Sequence, residues 1–253
     1  MERQMNKPLF MAYATQKGGV GKTTFTVLTA SYLHYEKNLN VLVVDCDYPQ
    51  YSILQMRERE IETVSNDSKL KALAYEQFTR LNKKAYTILK ASAESAISIV
   101  EEFLEQTKER IDLVLFDVPG TVNTSGMYKL LSEMDVFLVP ISADRVVLES
   151  SLNFAKAIGE MIKANPQKQL YLFWNLVDKR EKTALYDIYS KGVASLKLPL
   201  LKTRVPDTKR YRKEILGAGQ RPFRSTLFPP DRQIARGSNI IELLNEITGN
   251  LNL

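Results

Sequence analysis

The chain has 253 residues, 44% of them hydrophobic, enough to bury one sizeable core, and residues 1–253 are expected to form a single domain. A lone cysteine, Cys46, and a lone histidine, His34, exclude an internal disulfide, a thiolate or imidazole cluster for zinc or iron–sulfur, and a histidine-based acid–base pair. The formal charge of +6 is uneven, because residues 202–236 carry ten basic against three acidic side chains, an excess of seven that attracts polyanions.

In chain order, short apolar runs alternate with helical patterns. Residues 8–14 form the strongest early run, about seven residues long, too short for a membrane span or a signal core, so a cytoplasmic protein is expected. Residues 10–14, 41–44, 113–116, 136–139 and 170–174 are apolar on both faces, as strands covered by helices on both sides are. Helices are expected near residues 23–37, 93–110, 125–132, 148–164, 183–196 and 239–248. His34 falls among Val27, Leu28, Ala30, Tyr32 and Leu33 and is expected to be packed or solvent-tipped. Residues 57–84 are charged and helical in character, with no clear strand. Pro199, Pro206, Pro222, Pro229 and Pro230 punctuate a loop-rich basic segment. The alternation predicts an α/β fold, a doubly wound, mostly parallel sheet in three layers with ligands at the carboxyl ends of the strands.

The first strand leads into Gln16-Lys17-Gly18-Gly19-Val20-Gly21-Lys22-Thr23-Thr24 and directly into a helical pattern. Glycines let backbone N–H groups converge on one concavity, and the positive end of the following helix adds to them, so the loop suits phosphate. Lys22 is expected on the β- and γ-phosphates, Thr23 on Mg²⁺ and Thr24 on the α-phosphate of ATP. The strict G-x-x-x-x-G-K-[ST] pattern fails at Gln16, and an additional lysine, Lys17, precedes the glycines. The run KGGVGKTT resembles the deviant Walker A box of the ParA/Soj/MinD family of P-loop ATPases, closest to small ParA-type partition ATPases. The resemblance implies that Lys17 reaches the nucleotide of a second subunit; on loop chemistry alone a solvated lysine is the other reading.

The second strand ends in Asp45-Cys46-Asp47-Tyr48-Pro49-Gln50. Two carboxylates at a strand end beside a phosphate loop suit the Mg²⁺ shell and the positioning of a water. The segment looks like the family's D-x-D-x-x-Q switch I, which implies that Asp47 orients the hydrolytic water and Asp45 supports the metal. Helix-capping or turn aspartates are the plainer alternative. Residues 111–116 deliver Asp117 in the manner of a Walker B strand, with its carboxylate holding Mg²⁺ through water. Pro119-Gly120 departs from the family's double proline, and the glycine suits either a close approach to the γ-phosphate or a simple tight turn.

Asn175, at the end of the fifth run, and Val205-Pro206 resemble the family's adenine pocket, with Asn175 as the residue able to pair with adenine. The terminal pattern Ile240, Ile241, Leu243, Leu244, Ile247 lies opposite Glu242 and Glu246, and no basic residue follows Arg236. That reads as a packed helix rather than a lipid-binding tail, and no stable membrane association is expected. The basic segment favours nonspecific DNA, with Lys191, Lys197, Lys202, Arg221 and Arg224 as candidates, and hence nucleoid association. About nine residues precede the first strand, too few for an operator-reading helix-turn-helix. By resemblance, ATP binding makes a homodimer and a ParB-like, centromere-binding partner stimulates slow hydrolysis, the cargo being a plasmid, a chromosome, a conjugative element or another load. The alternatives are a small-molecule ligase or kinase resembling dethiobiotin synthetase, or a MinD-like membrane-associated positioning ATPase.

Overall fold

The computed structural model describes residues 7–120, 124–181, 184–212 and 219–253; Thr183, expected to open a helix, and the basic Lys213 lie outside them. In chain order the elements are β1 (Leu9–Tyr13), α1 (Lys22–Tyr35), β2 (Val41–Asp45), α2 (Ser52–Asn66), α3 (Ser68–Leu81), β3 (Thr87–Lys90) and α4 (Ala96–Gln106). They continue with β4 (Leu113–Asp117), α5 (Ser125–Ser132), β5 (Val136–Ile141), α6 (Arg145–Lys163), β6 (Gln169–Val177), α7 (Leu185–Ser195), β7 (Leu200–Pro206), a short 3-10 turn (Lys209–Arg212), α8 (Arg232–Ala235) and α9 (Ile240–Leu251). The strands make one sheet in the order β3-β2-β4-β1-β5-β6-β7, with parallel pairing throughout. The expected α/β, doubly wound sheet with helices on both faces is therefore present.

Period-2 alternation sorts each central strand between two cores. Phe10, Ala12, Val114, Phe116, Phe137 and Val139 face one core with α4, α5, α6 and α7, whereas Met11, Tyr13, Leu113, Leu115, Val136 and Leu138 face the other with α1, α2 and α9. β1 lies between β4 and β5, so its carboxyl end opens at the point where the chain switches sides, the usual position of a ligand in such sheets.

α1 is buried around nearly its whole circumference, from Phe25 to Tyr35, which a helix against a single sheet face would not be. Its outer side is covered by residues 219–231, which form a strap. The Ser31 hydroxyl donates to Ser225 O, and the Tyr35 hydroxyl donates to Thr226 O at 2.8 Å. His34 is packed, as expected, with Nε2 2.9 Å from Lys84 O and burial holding its pKa below the ordinary value.

The charged stretch over residues 57–84 resolves into two helices. Asp67 is extended and accepts from Lys69 N and Leu70 N, so one carboxylate both ends α2 and caps α3. β3 follows, a strand that the sequence pattern does not announce: its four residues lie at the sheet edge, none fully buried, and so show no apolar run. The other edge is shielded, because Glu246 of α9 accepts from Lys202 N at 2.7 Å and Thr203 N at 2.9 Å. The apolar face of α9 is buried against the second core, in line with the packed reading. Among the described residues, no helix is long and apolar enough to cross a membrane.

The strap meets α2 through a buried polar network. Arg57 donates from Nε to Thr226 Oγ1 (2.7 Å), from Nη2 to Thr226 O (3.0 Å) and from Nη1 to Tyr86 O (3.2 Å), with its guanidinium 4.8 Å from the Tyr86 ring centre. Glu60 accepts from Thr226 N at 2.7 Å and from the Thr226 hydroxyl, and burial raises its pKa. Removing the cation takes the Arg57 donor from Tyr86 O, one of two donors from Thr226 O, and the neighbouring positive charge from the buried Glu60. Arg57→Met is expected to cost about 3 kcal/mol, a fall in melting temperature of about 6–12 °C for a chain of this size, measured by thermal denaturation with and without the substitution.

Candidate functional site

The loop after β1 is shaped by its backbone. Gly19 and Gly21 adopt φ of +74° and +88°, a left-handed conformation that side chains with a Cβ rarely take. Gly21 stands at the N-cap of α1, and no side chain caps the helix, so the N–H groups of its first turn point outward at the end of the central strand. An uncapped helix start in a glycine loop is an anion site in waiting.

Lys22 opens α1 and is 8% exposed; its Nζ donates to Lys17 O at 3.1 Å. Burial lowers the Lys22 pKa, opposed by the negative charges of Asp117 and Asp47. Asp117 ends β4, directly beside the end of β1, in register with Tyr13 and Asp45. Its carboxylate is 1% exposed, and neither oxygen has a hydrogen-bond partner of ordinary geometry among the described residues. Burial pushes its pKa up to about 7; the nearby Thr23 hydroxyl and Lys22 pull it down, and Asp45 and Asp47 push it further up. A buried carboxylate with both oxygens free, next to a hydroxyl and an ammonium, is a strong candidate to approach a hard divalent cation.

Asp45 is fully buried and otherwise engaged. Its Oδ2 accepts from Ile53 N (2.9 Å) and Leu54 N (3.2 Å), and its Oδ1 from Asp47 N (3.3 Å), so it caps α2 across the switch segment. The plainer capping alternative thus describes its contacts here. Asp47 is only half-buried, with Oδ2 3.4 Å from the Ser52 hydroxyl, and its carbonyl accepts from Gln50 N and Tyr51 N to form the turn before α2. Gly120 brings the loop after β4 against the glycine loop: a methyl group there would lie 3.5 Å from Gly18 N and 3.6 Å from Lys22 Nζ. Those are ordinary contacts, so the position does not demand glycine for the close approach.

Asn175 is buried and donates from Nδ2 to Val20 O at 2.9 Å. The register of β6 against β7 slips on either side of it and Leu176 takes a φ of +55°, an irregularity that turns the amide onto the glycine loop. Its observed contact braces the loop. The Val205 side chain is fully buried in the core and is not available to a base; Pro206 pairs with Val177, two residues beyond Asn175.

Two of the expected DNA-facing cations point elsewhere. Arg221 is paired with Asp231 at 2.8 Å, both half-buried, and Arg224 turns inward, its Nη1 donating to the Thr24 hydroxyl at 2.9 Å. Lys191, Lys197 and Lys202 are exposed. The approach of Arg224 to Thr24, across 200 residues, has no signature in the sequence.

Residues 10–171, more than half of the chain, match the family AAA_31, described as an AAA domain. The chain belongs to the AAA_31 family, P-loop ATPases of the ParA and MinD type. The protein "Uncharacterized protein BBD21" of Borreliella burgdorferi is 24% identical over 232 residues, spanning 81% of this chain and 90% of its own. Among solved structures, a putative plasmid partition protein from Borrelia burgdorferi bound to AMPPNP superposes with a TM-score of 0.60 at 17% identity, covering 96% of this chain and all of its own. The MinC:MinD cell division complex of Aquifex aeolicus gives 0.60 at 17%, covering 95% and 96%. Cobyrinic acid a,c-diamide synthase of Mycobacterium smegmatis with ADP and magnesium gives 0.55 at 22%, covering 80% and 88%. These likenesses concern the fold; membership of AAA_31 makes the chain an ATPase of the ParA/MinD type.

The unpartnered buried carboxylate of Asp117 has a measurable consequence. With a folded pKa near 7 against an ordinary 3.8, Asp117 is protonated in the folded chain and ionised in the unfolded one between those values. Its contribution to stability is therefore complete below about pH 4 and is lost as the pH rises to about 7. Asp117→Asn should melt higher than the parent at pH 8 in the absence of nucleotide and magnesium, by about 2 kcal/mol, with the gap closing toward pH 5. Equal melting at both pH values would show that the carboxylate is not desolvated.

Proposed function

We propose that this AAA_31 ATPase is a dimerisation switch of the ParA type that binds MgATP at the loop of residues 17–24, holds DNA nonspecifically as a dimer and positions a plasmid, a chromosome or another cargo. The observation that carries the reading is the unpartnered carboxylate of Asp117 beside Lys22 and Thr23 at an uncapped helix start. Its chemistry suits a metal bridged to phosphate, and the residues present fit both groups.

In this reading Gly18, Gly19, Val20 and Gly21 offer backbone N–H groups, Lys22 leaves Lys17 O to neutralise the β- and γ-phosphates, and Thr24 takes the α-phosphate. Thr23 and Asp117 hold Mg²⁺, Asp117 through water, while Asp45 supports the shell by fixing switch I to α2. Magnesium, when bound, offsets the negative charge that develops on the transferred phosphoryl oxygens. Asp47, half-buried and in a turn of its own making, orients the attacking water. Asn175 secures the loop through Val20 O, and an amide there, with Pro206 on the adjoining strand, borders the adenine, whereas Val205 stays in the core.

Lys17 favours the switch over a small-molecule ligase, a reading kept in view by the likeness to cobyrinic acid a,c-diamide synthase. In this reading, by likeness to the family's additional lysine, the Lys17 ammonium serves the nucleotide of a second subunit. Joining two copies doubles the set Lys191, Lys197 and Lys202 to six cations, for a salt exponent of about −5 in DNA binding. A ParB-like partner would then accelerate release.

Lys22→Ala should abolish MgATP binding, whereas Lys17→Ala should bind MgATP as a monomer and fail to dimerise in size-exclusion chromatography with light scattering. Dimers that persist without Lys17 would refute its role in trans. Asp47→Ala should hold an ATP-bound dimer on DNA with turnover lowered at least 100-fold; turnover at the parental rate would take Asp47 out of catalysis.

A further inference from the structure

The start of α2 sets a hydroxyl free. A serine at a helix start ordinarily accepts from the N–H groups of the first turn. Here those donors are already taken: Ile53 N and Leu54 N go to Asp45 Oδ2, at 2.9 and 3.2 Å, and Gln55 N goes to Tyr51 O at 3.1 Å. The cap position itself is held by Tyr51, with no side-chain cap. Ser52, half-buried as the first residue of α2, is thereby relieved of capping, and its hydroxyl donates instead to Asp47 Oδ2 at 3.4 Å.

The backbone that brings the two together is unusual. Tyr51 has a φ of +46°, a left-handed conformation uncommon for so bulky a side chain, which persists where the surroundings fix it. Asp47 O accepts from Gln50 N at 2.8 Å and from Tyr51 N at 2.9 Å, the Gln55 amide donates to Gln50 O at 2.6 Å, and the Lys90 ammonium lies 5.6 Å from the centre of the Tyr51 ring. One turn therefore holds the main chain of Asp47 and returns Ser52 to its side chain.

Asp47 is near enough to the phosphate loop for its charge to act on both Lys22 and Asp117. Among the described residues no other hydrogen bond reaches its carboxylate. A carboxylate that orients a water works best with one oxygen committed and the other open, because rotation of the group would move the water off its line of attack. A hydroxyl can donate to the first oxygen without bringing a charge of its own. Hydrogen bonds of this kind are often long before substrate binds and tighten in its presence.

We infer that Ser52 is a positioning residue for hydrolysis, its hydroxyl holding Oδ2 of Asp47 and leaving Oδ1 to direct the attacking water. The inference rests on the role proposed for Asp47.

The test is a double-mutant cycle on the full chain, read by single-turnover hydrolysis of MgATP, with the affinity for AMPPNP and magnesium measured alongside. Ser52→Ala should slow hydrolysis about tenfold, as loss of a hydrogen bond to a charged group does, and leave the affinity within about twofold of the parent. Ser52→Thr, which keeps the hydroxyl, should restore most of the rate. In Asp47→Ala the serine has nothing to hold, so adding Ser52→Ala should change the rate by less than about twofold. A hydroxyl that merely shapes the start of α2 would cost as much without Asp47 as with it, and that additive result would overturn the inference. So would a parental rate in Ser52→Ala, a loss that Ser52→Thr does not relieve, or one matched by an equal loss of AMPPNP affinity. If Ser52→Ala does not fold, Ser52→Gly takes its place in the cycle. Hydrolysis at the parental rate in Asp47→Ala alone would remove Asp47 from catalysis, a failure of the underlying reading that is seen without touching Ser52.

Discussion

The uncapped first turn of α1 is the constraint to which the rest of the molecule is fitted. Gly21 sets it by a left-handed backbone at the end of the central strand, leaving helix N–H groups without side-chain acceptors. Such a start needs surroundings that hold the loop in place, and it leaves N–H groups open to water or to an anion. The surroundings do the first: Asn175 grips Val20 O, Lys22 folds back on Lys17 O, and the loop after β4 lies against Gly18. The sheet order does the rest by setting the end of β4, and so Asp117, beside the end of β1.

Stability and function pull apart at this point. A carboxylate buried with neither oxygen bonded, and an ammonium buried deeply enough to lower its pKa, are both costly in the empty protein. Neighbouring side chains relieve these costs only in part, Thr23 and Lys22 acting on Asp117, and Asp117 and Asp47 on Lys22. The two cores and the strap offset these costs in the empty protein, and on the proposed reading a ligand that brings both negative phosphate and a divalent cation would satisfy Lys22 and Asp117 together.

How much of this was legible in the sequence follows from the range of the interactions. The five central strands announce themselves because burial on both faces gives continuous apolar runs, and Lys17 to Thr24, Asp47 and Asp117 stand at strand ends where a parallel sheet gathers its chemistry. β3 is silent because an edge strand of four partly exposed residues carries no such run. Asp45 is ambiguous in sequence, since a carboxylate at a strand end can serve a metal or the next helix, and only the contacts with Ile53 N and Leu54 N show the capping. The all-round burial of α1 hints that something covers it, but not that the cover comes from residues 219–231.

The basic segment shows why composition alone misplaces an interface. Within residues 202–236 several cations already have partners in the chain: Arg204 and Arg232 in surface pairs with Asp187 and Glu36, Arg221 with Asp231, and Arg224 with the Thr24 hydroxyl. The local excess of positive charge therefore overstates what a polyanion would meet, and the surface left for DNA shifts toward Lys191, Lys197 and Lys202, around α7 and the outer strand. Three cations on one copy hold DNA only weakly in salt, since each phosphate contact adds a little less than one to the salt exponent. In the proposed switch, retention comes from pairing two copies. On the proposed reading, the nucleotide-dependent association, rather than the charge of the single chain, is what would turn DNA binding on and off.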